Sequence, residues 1–545
     1  MRQDERLWLV AFLAGLSAIS LVVWAQMYRL SPILFTSQIF FQLILAATLI
    51  AMLRNVVGIK AFGVFGPTIV TFALLKAGPV WGLVLFFDVF LVALGTRFVL
   101  EPLRLGANHR VAVVITTVAL SLTLLEVLGE VVHLQIIEAS LLLPVLITSW
   151  LADEFADNVK EMDWVEPVKK LGGTVALILA SYALMTTGPL VDFFIRTPPL
   201  WVGAIGLNIW AARRVRFRLS ERLRFKPAAG GEGGLEGVLS MNERNRGVIA
   251  EFNPPWAFAG VEKVEMKRAL HGLEIPTPRT VMVVEERKDL AVLDERLKNL
   301  DSFALKPARG HGGEGIVVVE RREGDTYFKV DGTPITRSDL VARAGEILDG
   351  EYSAVHHDKA ILEERVEPAA FFDRFYFRGV PDIRVIVLRG FPLMAMTRLP
   401  TKESGGAANL HKGAVGVGLS IATGEPVRAF WTTGGGPIDK HPDTGRPFAE
   451  LKVPDWQRIL EVAVRAQAAS RLGYAGVDIV VDRVHGPLVL EVNKRPGLAV
   501  QNANAEGVAR RIDFVKARLK DAEFEPVARR VELARGWDKA GWVGA

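Results

Sequence analysis

Eight apolar stretches, each long enough to cross about 30 Å of hydrocarbon, follow one another near 7–27, 36–53, 61–77, 79–100, 111–129, 135–152, 171–187 and 190–212. Such a succession leaves one solution for the backbone, because every N–H and C=O must be satisfied without water, so this part is read as a bundle of transmembrane α-helices. The first run is not a signal peptide: it is too long, and no small-residue cleavage site follows it. Gly66-Pro67 interrupts the third run, and Asp192, Arg196, Pro198 and Pro199 punctuate the eighth. If either is re-entrant, six or seven helices cross instead of eight.

Charge divides the chain the same way. Residues 1–225 hold 19 Lys/Arg and 15 Asp/Glu, whereas residues 226–545 hold 46 and 45, so a charge-poor membrane part (1–226) precedes an ordinary globular one (241–545). The glycine-rich PAAGGEGGLEG within 227–240 reads as a flexible linker between them. Seven basic residues against one acid, Glu221, lie between Arg213 and Lys226. Directly after the last apolar run this is a topology signal, not a nucleic-acid surface. With eight crossings, Arg2/Arg6, Arg54/Lys60, Arg97/Arg104/Arg110, Lys160/Lys169/Lys170 and Arg213–Lys226 share one side, which predicts an inner (plasma) membrane protein with both termini and the globular domain in the cytoplasm. Asp88, inside an apolar run, is the intramembrane carboxylate to which a transport role would fall. The absence of cysteine excludes disulfides, thiolate zinc sites and Cys nucleophiles.

Beyond residue 241, helical patterns at 261–272 and 455–472 alternate with β-branched runs at 280–284, 303–306, 315–319, 361–366, 383–388, 393–398, 477–482 and 487–492, the signature of an α+β or α/β enzyme. Two constellations carry chemistry. In ALKPARGHGGEG (304–315) a strand delivers Lys306 into a loop holding Gly310, Gly312, Gly313 and Gly315, so backbone N–H groups can approach a polyphosphate unobstructed. This is not a Walker A loop, since no Gly-Lys-Ser/Thr opens a helix. Near the end, GVDIVVD and GPLVLEVNKRPG form a hairpin on which Asp478, Glu491 and Asn493 share a side. Three hard oxygen donors in apolar surroundings suit Mg²⁺. Between them lie Glu363-Glu364-Arg365-Val366, the strand-borne Arg384 and Arg398, and Asn409-Leu410-His411-Lys412-Gly413; the arginines suit phosphate or a structural ion pair.

This order of motifs resembles the ATP-grasp superfamily. Lys263, KPxxGxGGxG, the acidic hinge, DIR, a strand-end Arg, NLHKG and VD…LEVNxRPG all occur in sequence, and the likeness is greatest to the alpha-L-glutamate ligase-related (RimK-type) branch, including MNERNRG, GVPDIR, RLPT, HPDTG and GLAVQNAN. The resemblance implies an N-terminal helical transmembrane bundle joined to an α+β ATP-grasp fold. It implies that Lys263 and Lys306 contact ATP phosphates under a flap at Gly310–Gly315, and that Glu363, Glu364, Arg365 and Val366 form the adenine-reading hinge with Asp382 at the ribose. It further implies that Asp478, Glu491 and Asn493 bind magnesium, two ions in such an arrangement, and that Arg384, Arg398, Asn409 and His411 hold the phosphoryl group and the acyl substrate. Two departures, Lys412 where such ligases often have arginine and the insertion AAFFDRFYFRG before DIR, leave the substrate open. The membrane part resembles a seven-helix domain usually joined to an inactive transglutaminase, through FGPTIV, LEPLRLGANHRVAVV and LLLPVLITSWLADEF.

The expectation is therefore a membrane-anchored, Mg-ATP-dependent carboxylate–amine ligase that adds an amino acid such as glutamate to a peptide-like or envelope-associated acceptor, with a transglutaminase-like or protease partner. Alternatives are a membrane half that transports or flips the domain's substrate or product, and a nucleotide sensor without catalysis.

Overall fold

The computed structural model describes residues 3–34, 38–100, 107–131, 142–162, 164–230, 234–310, 315–353, 357–522 and 524–542. They form two compact units, Met1–Ser220 and Glu221–Ala545.

The first unit is helical throughout: Gln3–Leu34, Gln38–Met52, Phe65–Leu100, Ala107–Val131, Leu142–Met162, Val165–Met185, Gly188–Ile195 and Pro199–Arg214. Within Phe65–Leu100 the backbone breaks at Gly78 (φ 80°, ψ 163°), directly before Pro79. A residue preceding proline is driven out of the helical region, so the third and fourth apolar runs become two arms. Among the described residues, Phe65–Leu100, taken with its break, and Val165–Met185 are the helices long and apolar enough to cross a membrane; a third span exists if the pair beginning at Gly188 and Pro199, bent by 98°, is counted as one. The core is aromatic, with Phe155 edge-on to Phe62 and Phe90. Arg97 is buried against Asp153 at 2.6 Å, and Asp88 accepts a hydrogen bond from the Ser121 hydroxyl, with Oδ2 at 2.9 Å and Oδ1 at 3.1 Å.

The second unit carries two antiparallel sheets. Strands β1 (Thr280–Val284), β2 (Phe303–Pro307), β3 (Val317–Glu323), β4 (Thr326–Lys329), β5 (Pro334–Thr336) and β6 (Ala360–Glu363) make the first, in the order β1-β6-β2-β3-β4-β5. Its apolar face closes over helices Asp289–Leu297 and Arg337–Leu348, burying Phe303, Leu305, Tyr327, Leu293 and Leu340 together. Strands β7 (Asp382–Leu388), β8 (Phe391–Leu399), β9 (Val415–Leu419), β10 (Pro426–Trp431), β11 (Gly436–Ile438), β12 (Tyr474–Asp482) and β13 (Gly486–Asn493) make the second, in the order β11-β10-β9-β8-β7-β12-β13. Helix Trp456–Ala469, with Ile459, Leu460, Ala463 and Val464 buried, lies on it. The fold class is thus an apolar helical region followed by an α+β domain of two antiparallel sheets and their helices.

The two sheets are tied by the chain leaving β6. Glu367 N donates to Asp482 Oδ2 (2.9 Å), while Ala369 N reaches Val481 O (2.8 Å) and Arg483 N reaches Glu367 O (2.7 Å). The segment read as a linker is packed where it is described: Ala228, Val238 and Leu239 are buried. Leu239 also exchanges hydrogen bonds with the Gln501 side chain, at 2.8 and 3.1 Å.

Candidate active site

A ladder of charges crosses four neighbouring strands of the second sheet. Asp478 on β12 stands opposite Glu491 on β13 and opposite Arg384 on β7, and Asp382 on β7 stands opposite Arg398 on β8. Gly476, two residues before Asp478, pairs with Asn493. Side chains alternate along a strand, so these six share one face while Val477, Ile479, Ile383 and Val385 fill the other. A one-residue slip of any strand would bury its charge in that apolar layer, so the hydrophobic pattern fixes the site.

Asp478 is the hub. Arg384 grips it with Nε and Nη2 at 2.7 and 2.6 Å. Arg398 Nη2 reaches it at 2.8 Å, and the Asn493 amide donates to it at 3.1 Å and to Glu491 at 3.0 Å. Arg398 also holds Asp382 through Nε at 2.7 Å and through Nη2. Burial works against charge on both aspartates, but the Arg384 and Arg398 guanidinium groups keep Asp478 well below the usual carboxylate range. Burial pushes Asp382, which shares Arg398 with Asp478, up to about 6. Asp382, expected at the ribose, is 4% exposed and turns both its oxygens to Arg398. Glu491 and Asp478 stand opposite each other across the β12–β13 ladder, and the Asn493 amide bridges their carboxylates. Two carboxylates that close are reconciled by a shared proton or by a cation, so the donor set fits magnesium. A cation on Asp478 would compete with guanidinium N–H groups, whereas Glu491 and Asn493 line open space.

The first sheet supplies lysines. Lys306 on β2 and Lys267 on helix Lys263–Gly272 take one oxygen each of Glu363, at the end of β6. All three side chains are buried. Burial opposes ionisation of Glu363, yet the two ammonium groups hold its pKa below the ordinary value. Lys267 also donates to Pro278 O at 3.0 Å. One turn earlier, Lys263 donates to Gly310 O at 3.0 Å; burial lowers its pKa, and the largest opposing charge is Glu491 of the other sheet. Lys267 escaped the sequence reading, although its signal, a second lysine four residues after Lys263 on the same helix face, is present. The expected hinge divides. Glu363 spends its side chain on lysines, Glu364 pairs with Arg279 at the surface, and Arg365 and Val366 line the space between the sheets.

That space is a cleft of about 1510 Å³ bounded by Lys263, Gly310, Val366, Arg384, Arg398, Glu491 and Asn493, among others. Asn409 and His411 also line it, with Asn409 Oδ1 accepting from His411 N at 3.0 Å. Gly315 adopts φ 69°, and a Cβ there would lie 2.4 Å from the Tyr352 ring. Gly312 and Gly313 lie outside the described residues.

Residues 243–517 match the family described as sugar-transfer associated ATP-grasp. The chain belongs to that family. The likeness of this ATP-grasp protein to the alpha-L-glutamate ligase-related branch rests on its motifs alone. Residues 20–229 match seven transmembrane helices usually fused to an inactive transglutaminase, so the ATP-grasp domain is joined to a membrane domain. No curated protein matches the chain. Among solved structures it is similar to the ATP-grasp ligase PsnB complexed with minimal precursor (15% identity, 51% of this chain and 67% of that one, TM-score 0.27). It is also similar to the D-alanine–D-alanine ligases from Bacillus anthracis complexed with ATP (15%, 50% and 68%, 0.26) and from Coxiella burnetii (15%, 52% and 60%, 0.27).

Proposed function

We propose that the second unit is an ATP- and magnesium-dependent carboxylate–amine ligase held at the cytoplasmic face of the inner membrane by the first. The observation that carries this reading is the facing of two opposite charge sets across one cleft: Lys263 and the Gly310 backbone beside the first sheet, Glu491 and Asn493, backed by Asp478, on the second. In the reaction a carboxylate oxygen attacks the γ-phosphorus of ATP and ADP leaves. An amine then attacks the acyl carbon, phosphate leaves, and the amine's surplus proton goes to solvent. Lys263 and Lys306 bind the phosphates, and Arg365 and Val366 border the base. Glu491 and Asn493, with Asp478 behind them, would hold magnesium, which supplies charge neutralisation between phosphate oxygens. Arg384 and Arg398, fixed by their aspartates, orient the transferred group and counter its charge, with Asn409 and His411 beside the acyl carbon. Preorganised charges of this kind carry most of such a rate enhancement.

An amino acid such as glutamate is the proposed donor or acceptor, and a peptide-like or envelope-associated molecule its counterpart. The fusion to a membrane domain supports an envelope-associated counterpart. Full-length protein in detergent is expected to release ADP and phosphate in equal amounts when a suitable carboxylate and amine are present. Glu491→Gln should reduce that release by at least about a hundredfold, since one lost electrostatic contact to the transition state costs about 3–4 kcal/mol. Undiminished turnover in Glu491→Gln would remove the basis for this assignment.

A further inference from the structure

The insertion AAFFDRFYFRG (369–379), which nothing above employs, is built as a fixed wall. Phe372 and Phe375 are buried beneath it, Phe377 N donates to Pro400 O at 3.0 Å, and Asp373 pairs with Arg483 at 2.8 Å. The wall presents Tyr376, Phe377 and Arg378 to the cleft, which Lys329 at the end of β4 and Asp331 of the following turn also line. Arg378 adopts φ 44°, a left-handed conformation that a residue with a side chain keeps only where its surroundings impose it. The next residue imposes it: Gly379, φ 75°, approaches so near that a Cβ would lie 1.8 Å from Gly406 O. Among the described residues no hydrogen bond or ion pair holds the Arg378 guanidinium. It lies 5.3 Å from the Phe377 ring centroid, with the Lys402 ammonium 5.7 Å from the same ring. The nearby Asp331 accepts from Thr333 N and Oγ1 through Oδ1, at 2.9 and 2.6 Å, and its Oδ2 lies 3.9 Å from the Lys329 ammonium.

A cation held in a strained backbone, beside a ring and with Asp331 near it but not in hydrogen-bonding contact, is suited to receive a ligand's anion. The cleft has room for one: about 1510 Å³ exceeds the ~300–1,000 Å³ of ordinary small-molecule sites. We propose that Arg378 and Lys329, with the Tyr376 and Phe377 rings, form the subsite for the ligase's second substrate. That substrate carries a carboxylate or phosphate beside a flat ring or sugar face. The inference rests on the ligase reading for the meaning of "second substrate", and it is tested by binding, which does not.

Calorimetric titration of the full-length chain in detergent uses two matched pairs: glucosamine 6-phosphate against glucosamine, and phenylalanylglutamate against phenylalanylglutamine. In at least one pair the anionic member is expected to bind about tenfold or more tighter, the pair identifying phosphate or carboxylate as the source of the anion. Arg378→Gln should bring the two members within about twofold, while Arg378→Lys, which keeps the charge, should retain most of the preference. Both variants alter an exposed side chain and are expected to fold. Equal binding of both members in both pairs, or a preference that survives Arg378→Gln, overturns the subsite. Intact preference without ATP turnover supports the subsite and overturns the ligase reading alone.

Discussion

Glu363 is a buried carboxylate with two ammonium partners, and the second partner decides what the first can do. If Lys306 alone neutralised Glu363, it could leave for a phosphate only by stranding a buried charge, at a cost of about 3–5 kcal/mol. Lys267, held also by Pro278 O at 3.0 Å, stays on Glu363 and removes that penalty. Lys267→Met should therefore raise the KM for ATP about tenfold or more, and Glu363→Gln in the same chain should restore much of it by releasing Lys306. A double variant no better than Lys267→Met in steady-state kinetics would reduce Lys267 to a structural residue. The sequence carried half of this cluster. Lys306 was legible from its strand-to-glycine-loop setting, and Glu363 as a carboxylate ending an apolar run. Their pairing was not, because it depends on β2 and β6 being neighbours, a long-range fact. Asp478, Glu491 and Asn493 were easier to read, since hairpin alternation alone puts them on one face.

Strands were legible where β-branched and apolar residues run on almost unbroken, and β9 was hidden by its glycines. β12 and β13 fall close to the expected runs, whereas β9, Val-Gly-Val-Gly-Leu, gave no signal. The structure supplies the reason: a Cβ on Gly418 would lie 2.4 Å from Ala503 O, so the crossing of helix Val500–Asn504 requires the residue that weakens the strand pattern. The HPDTG turn shows how one residue organises an element. His441 is 1% exposed. Its Nε2–H donates to Pro400 O at 3.2 Å, and its Nδ1 accepts from Asp443 N and Thr444 N at 3.3 and 3.4 Å, an arrangement only the neutral ring can make. Burial lowers its pKa. The turn in turn accepts Lys402 N on Asp443 Oδ2 at 2.8 Å, anchoring the loop that leads to Asn409 and His411. The neutral ring favours the folded state, so this stability is present above the unfolded histidine's pKa of about 6.5 and is lost as pH falls through the lower folded value. His441→Asn should be less stable at pH 7.5 and should lose less between pH 7 and 5 than the unaltered chain. Parallel urea-midpoint curves for the two proteins would refute it.

At the scale of the whole molecule, what matters is which side of the membrane each part occupies. ATP and its regeneration are cytoplasmic, so a ligase in the second unit requires residues 241–545 on that side. The side of the N-terminus then depends on the parity of crossings. The Gly78 break makes two arms of Phe65–Leu100. Counting each arm as a crossing, and the 98° bend after Gly188 as one broken span, gives an even number and a cytoplasmic N-terminus; a re-entrant bend gives an odd number and the opposite. Composition could not decide this, because proline and charge mark a break without giving its angle. The chain contains no cysteine, so single introduced thiols report without background. Gln3→Cys and Val484→Cys, the latter at a site 79% exposed, are expected to react with a membrane-impermeant maleimide only after the inner membrane is opened. Labelling of Gln3→Cys from the periplasmic side, with Val484→Cys still protected, would leave the enzyme in place but establish an odd number of crossings. Labelling of Val484→Cys in unopened cells would separate the cleft from its nucleotide and defeat the ligase assignment.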